Sequence, residues 1–178
     1  MKKLYFIRHG LSEGNVQEIW SGSTDTPLHT EGRAQAKAAG QKAKKLKIDL
    51  VVSSPMSRAK ETAEIICDQI GYPKQKILFS DLLVERSFGD LDGTPHSVHD
   101  GTLELDSVLN VETKAMILER ADKAIKFLES LKAHNILVVS HGSFGRAMRH
   151  HIVPDMPFAN HKSSPQDRIP NAEIVQWI

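Results

Sequence analysis

Arg8-His9-Gly10 and Ser140-His141-Gly142 each place an imidazole and a glycine directly after an apolar run, Leu4-Tyr5-Phe6-Ile7 in one case and Ile136-Leu137-Val138-Val139 in the other. An imidazole serves as nucleophile, as acid or base, or as metal ligand. A glycine lets backbone approach a ligand closely. The guanidinium of Arg8 suits a phosphoryl or carboxylate oxygen through two parallel hydrogen bonds. A third run, Leu50-Val51-Val52, leads into Ser53-Ser54-Pro55-Met56-Ser57-Arg58. Glu85 follows Leu82-Leu83-Val84. Partial desolvation there would raise its pKa and suit it to proton transfer, and pairing with Arg86 is the plainer alternative. Taken singly, each feature is ordinary: Arg-His-Gly fits a surface turn, and a histidine after a buried strand is commonly structural.

The elements needed to hold these residues are legible in the pattern. Runs of four consecutive apolar residues with β-branched members read as strands buried on both faces, ending at Arg8 and Ser140, with Ile48 to Ser54 as another. Lys76 to Phe79 and Asn171 to Ile178 are further strand candidates. Thr30 reads as the N-cap of a helix rich in Ala, Gln and Lys as far as Lys47. Pro55 opens a second helix with Arg58 in its first turn and Gly71 at its end. Val111 to Leu131 has helical spacing, and Ser143 to His151 reads as a short helix. Breakers at Gly14, Gly22, Asp25 and Pro27 predict a loop over residues 11–30. Trp20 within it would stack on a substrate or pack against the sheet edge. Helices alternating with strands predict a largely parallel sheet in three layers, with its polar strand ends on one edge, where ligands bind in such sheets. Two arginines, two histidines and a carboxylate in one cleft form a phosphoryl-transfer constellation. The arginines, and His141 if protonated, would neutralise the equatorial oxygens, His9 would attack in line, and Glu85 would protonate the leaving oxygen.

Composition narrows the class. The chain has 178 residues, 40% hydrophobic and 25% charged, as expected for one globular domain over 1–178. A formal net charge of +1 argues against nucleic acid or an anionic membrane as a partner. The one cysteine, Cys67, excludes an intrachain disulfide and reads as a packed thiol on a helix face. Lys42, Lys44, Lys45 and Lys47 read as a solvated face. No apolar run reaches membrane-spanning length, and the one after Lys3 is too short for a secretory signal, so a soluble cytoplasmic protein is expected. Residues 87–113 hold no lysine or arginine but contain Asp90, Asp92, Asp100, Glu104 and Asp106, with His96 and His99. Their spacing fits no standard metal-ligand pattern, so no metal is expected.

With these residues in place the chain resembles the histidine phosphatase superfamily, in the branch of cofactor-dependent phosphoglycerate mutases and fructose-2,6-bisphosphatases. The resemblance covers residues 4 to about 146, with a weaker echo at Asn171-Ala172-Glu173. Arg8 to Asn15 is similar to the family's opening signature. Gly22 to Leu28 with Thr30-Glu31-Gly32 and Gln35-Ala36 is similar to its next block. Ser53 to Ala59 and Val139 to Gly142 match the remaining two. The resemblance implies a three-layer α/β/α sandwich with a mixed, mostly parallel central sheet. It implies His9 as the phosphohistidine, Arg8, Arg58 and His141 as the phosphate pocket, and Glu85 as the acid/base. Asn15, Ser21, Gly22 and Gly142 become phosphate or substrate contacts. Neither a metal nor another cofactor is implied.

The activity expected is a phosphomonoesterase acting through phosphohistidine on a small phosphate ester, as monomer or homodimer. The alternatives are a mutase-type isomerase and a non-catalytic phosphate-binding protein. A binder needs neither His9 nor Glu85. The mutases carry a lysine and an arginine pair after the catalytic glutamate, where residues 87–113 have none, and Phe88 replaces a tyrosine. An acidic segment capping the pocket would repel an anionic tail, predicting a preference for neutral or cationic leaving groups unless Lys162 and Arg168 fold over the cleft.

Overall fold

The computed structural model describes residues 2–98, 103–153, 155–158 and 167–178. The strands are β1 (Lys3–Arg8), β2 (Leu50–Ser53), β3 (Leu78–Phe79), β4 (Asn135–Ser140) and β5 (Ile174–Gln176). Among the described residues they form one sheet in the order β3-β2-β4-β1-β5. β1, β2 and β3 run parallel with their inner neighbours, and β5 alone is antiparallel, against β1. β4 is therefore inserted between β1 and β2, although the chain reaches it last of the three. Its register sets Ser140 opposite Arg8 and Val139 opposite Ser53. The carboxyl ends of these strands lie level, so His9, Arg58 and His141 are delivered from adjacent positions.

The α-helices are α1 (Glu13–Val16), α2 (Thr30–Ala43), α3 (Ser57–Ile70), α4 (Lys114–Ser130) and α5 (Gly142–Ile152). Alternation along β1 sorts the layers. Leu4 and Phe6 face Ile117, Ala121 and Leu128 of α4 and Phe144 of α5. Tyr5 and Ile7 face Ala39 and Ala43 of α2 and Ala59 and Ile66 of α3. Burying side chains of this size stabilises by about 1.5–3 kcal/mol each, so the sheet is clamped from both sides. The sandwich implied by the resemblance is the fold observed. Cys67 lies in the α2–α3 layer, where burial pushes its thiol up to about 12. Lys42, Lys44, Lys45 and Lys47 are exposed. No helix among the described residues is long and apolar enough to cross a membrane.

Three local expectations need correction. Residues 11–30 are not wholly loop: Ser12 and Asn15 form a reciprocal capping box that closes the one-turn α1, too short to show a period. His29, not Thr30, caps α2, its side chain accepting from Glu31 N–H. That helix ends at Ala43, and Lys44 to Leu46 tighten into a 3₁₀ turn.

Candidate active site

His9 sits just past β1 and is 3% exposed. Its Nδ1 lies 2.7 Å from Gly10 O. A carbonyl only accepts, so the imidazole proton is on Nδ1 and the Nε2 lone pair is free. The main chain here is pinned: His9 N–H donates to Ser140 O, Gly10 N–H to Thr62 Oγ1, and Asn171 Nδ2 to His9 O. Gly10 presses on the Gly32 carbonyl at the start of α2, where a Cβ would collide. Burial first, then Arg8 and Arg58, hold the His9 pKa well below the usual histidine value. The ring is neutral at pH 7.

His141 follows β4 and packs edge-on to His9, with ring centroids 5.2 Å apart. It is fully buried. Its Nε2 lies 2.8 Å from Ser54 Oγ, which also accepts from Met56 N–H. With the serine hydrogen donated to Nε2, the imidazole proton sits on Nδ1, which has no partner. Burial, then Arg58 and His9, hold this pKa well below the usual value too. His141 is therefore a neutral donor, because two guanidinium groups stand beside a desolvated ring.

Arg8 and Arg58 complete the group. Arg58, 1% exposed in the first turn of α3, spends its terminal nitrogens on Thr24 O and Gly22 O. Arg8 spends one on Ile169 O and packs against Gly142, where a Cβ would crowd its guanidinium. The Nε–H of each arginine is buried without a partner. Leaving such a donor unmet costs about 1–3 kcal/mol, so these two N–H groups and that of His141 Nδ1 suit an anionic acceptor.

Glu85 lies at the start of α5. One carboxylate oxygen accepts from Arg86 N–H and Phe144 N–H, the other from Ser143 N–H alone. Neither partial desolvation nor pairing with the Arg86 side chain describes it: the carboxylate is held by backbone donors, two of them at a helix N-terminus. The second oxygen keeps a lone pair toward the cleft. Arg120 fixes this segment from behind, donating to Leu82 O and Val84 O while paired with Glu112.

Arg8, His9, Arg58 and Glu85 line one cleft of about 440 Å³, together with Asn15, Ser21, Gly22 and Gly142. All the expected residues therefore meet there except His141, which reaches the group through its edge-on contact with His9. Ser21 Oγ is buried and unpartnered. Trp20 is not at the sheet edge: it packs against Phe88 and His96, at 4.9 and 5.0 Å, forming a cleft wall.

The segment 87–113 plays a different part from the one expected. Asp92 accepts from Ser23 N–H, Ser23 Oγ–H and Phe88 N–H. It clips the 22–24 loop, whose carbonyls hold Arg58, to the chain leaving Glu85. Gly22 has φ 44° and lies against that carboxylate, leaving no room for a side chain. Asp106 pairs with the buried Arg86, Asp90 accepts from Asn110, and Glu104 is exposed. None of these lines the cleft, so the expected acidic cap is corrected: Asp90, Asp92 and Asp106 hold the segment itself together. Asp100, His99 and Lys162 lie outside the described residues. Among the described residues no three His, Cys, Asp or Glu side chains are grouped to hold a metal ion.

Sequence reading named Asp92 without its role and missed Arg120 and Arg146, while Arg168 entered only as a residue that could fold over the cleft. Arg146 and Arg168 line the cleft, yet one is hidden in an amphipathic helix and the other in an irregular segment.

The neutral histidines carry a stability consequence. An unfolded histidine titrates near 6.5. Below that pH the unfolded chain binds protons that folded His9 and His141 refuse, so stability falls as pH falls. The slope approaches about 1.4 kcal/mol per pH unit for each, and above pH 7 the contribution is flat. Urea unfolding at pH 5.5, 6.5 and 7.5 checks this. The midpoint is expected to drop between 6.5 and 5.5, less so in His141→Gln. An unchanged or rising midpoint contradicts it.

A layered α/β fold with histidines and arginines at level strand ends defines a protein that handles phosphate esters. The chain belongs to the histidine phosphatase superfamily, branch 1, whose model matches residues 4–176. It is 32% identical over 144 residues to an uncharacterized phosphatase PhoE of Bacillus subtilis, covering 80% of this chain and 73% of that one. It is 42% identical over 94 residues to a 2,3-bisphosphoglycerate-dependent phosphoglycerate mutase of Mesorhizobium japonicum, covering 52% of this chain and 46% of the mutase. The match thus spans about half the length of that relative. The fold is similar to a phosphoserine phosphatase structure from Entamoeba histolytica, with a TM-score of 0.80 at 24% identity over 100% of this chain and 91% of that one. Family and relatives together support a phosphoric monoester hydrolase.

Proposed function

We propose that the protein is a phosphatase that hydrolyses small phosphorylated metabolites through a phosphohistidine on His9. The observation that carries this is the His9 tautomer: Nδ1–H is committed to Gly10 O, and Nε2 keeps its lone pair beside unmet arginine donors. The phosphoryl group is held by Arg8, Arg58 and His141 Nδ1–H, with Asn15, Ser21, Gly22 and Gly142 around it. His9 Nε2 forms a bond to phosphorus as the bond to the ester oxygen breaks. Glu85, carrying a proton, gives it to that oxygen. A water then attacks the phosphohistidine, passes its proton to Glu85, and leaves inorganic phosphate and neutral His9. A mutase reading is less well supported. The clipped segment 87–113 offers no lysine or arginine to hold a second phosphate.

The test uses leaving groups. Hydrolysis of p-nitrophenyl phosphate without isomerisation of 3-phosphoglycerate is expected. Glu85→Gln cannot donate a proton, so it is expected to slow phosphorylation by an alkyl ester by about 10²–10⁴-fold. A nitrophenyl ester, whose oxygen departs unprotonated, is expected to lose far less in that step. Equal losses on both, with phosphorylation rate-limiting, would remove Glu85 from the role.

A further inference from the structure

The cleft holds more cationic charge than a phosphoryl group consumes. Arg8 and Arg58 offset a phosphoryl dianion, and both histidines are neutral. Beyond them lie Arg146 of α5 and Arg168. Arg146 donates to Ser143 Oγ and stands 5.9 Å over Phe158. Arg168 is exposed and has no hydrogen-bond or ion-pair partner among the described residues. Neither guanidinium is paired with a carboxylate there. Both lie close enough to Arg8 to press its pKa down. The carboxylates lining the cleft are Glu18 and Glu85, and Glu85 is neutral when it carries the proton for the leaving group. Glu18 in the cleft and Asp167, which acts on Arg146, offset part of this charge from a distance without pairing with either guanidinium. Clustered guanidinium groups repel one another, and an unpaired one in a partly desolvated cleft is favourable only when an anion joins it.

We propose that Arg146 and Arg168 form a second anion subsite that selects monoesters whose leaving group bears a carboxylate. Arginine's planar fork matches a carboxylate by two parallel hydrogen bonds. Trp20, Phe88 and His96 line the same cleft, bear no charge and offer a surface for the body of the leaving group. This rests on the phosphatase reading above and reverses the preference expected from an acidic cap.

Two substrate pairs isolate the carboxylate: O-phosphoserine against O-phosphoethanolamine, and 3-phosphoglycerate against glycerol 3-phosphate. The full-length protein is expected to prefer the carboxylate member of each pair by at least tenfold in kcat/KM. Arg168→Gln is expected to bring both ratios toward one, and Arg146→Gln to do the same. Binding of the four esters to His9→Ala, measured by calorimetry, is expected to show the same order in Kd. Hydrolysis without the preference, or a preference that survives Arg168→Gln, overturns the subsite and leaves the phosphatase reading standing. Preferential binding without any hydrolysis overturns the phosphatase reading and leaves the subsite standing. Absence of preference in both measurements overturns the subsite.

Discussion

Replacing His9 with alanine is expected to abolish turnover, by at least about 10⁴-fold, the scale on which loss of a covalent nucleophile acts. Nothing else lining the cleft replaces it: the other lining imidazole, His96, belongs to the wall with Trp20 and Phe88. His141 offers an N–H donor, with its other nitrogen held by Ser54. The fold is expected to survive, because the main chain at position 9 is held by Ser140 O and Asn171 rather than by the ring. Phosphate is expected to bind the variant still, since Arg8, Arg58 and His141 remain. A steady-state assay with p-nitrophenyl phosphate, with circular dichroism as the check on folding, measures this. Near-normal turnover in a folded variant would sink the covalent mechanism.

His141→Ala is expected to lower kcat by about 10²–10³-fold, the effect of removing one donor aimed at charge that builds in the transition state. The donor matters because Nδ1–H is buried, unmet and already oriented by Ser54. No reorganisation is needed when the phosphoryl group arrives. If the bond strengthens only in the transition state, kcat and kcat/KM fall together while KM barely moves. Ser54→Ala keeps the imidazole but frees its orientation, and its activity is expected to fall between the wild type and His141→Ala. A His141→Ala variant with normal kcat and a raised KM would make His141 a ground-state binder only.

Much of this site was legible because buried parallel strands announce themselves. Leu4 to Ile7, Leu50 to Val52 and Ile136 to Val139 are apolar on both faces because helices cover both faces of the sheet. Each run ends where polar chemistry begins, which exposed His9, Arg58 and His141 as one group. The charge state of His141 was not legible, because it depends on burial and on arginines brought in by other strands. Nor was the role of Asp92, whose partner Ser23 lies 69 residues away. A run of acids looks like a repulsive surface until each finds its partner, as Asp106 does with Arg86. Arg146 was hidden by its helix, where one arginine among Arg149, His150 and His151 reads as solvated charge. Arg168 was named only as a residue that would need to fold over the cleft, and it lies there.

The covalent role of His9 is the claim on which the rest depends, and rapid-quench trapping with a ³²P-labelled monoester tests it most directly. The wild-type protein is expected to carry label approaching one phosphoryl group per chain, stable to alkali and lost in acid, as a phosphohistidine is, with His9→Ala carrying none. Turnover without labelled protein at any quench time, or label that persists in His9→Ala, would contradict it.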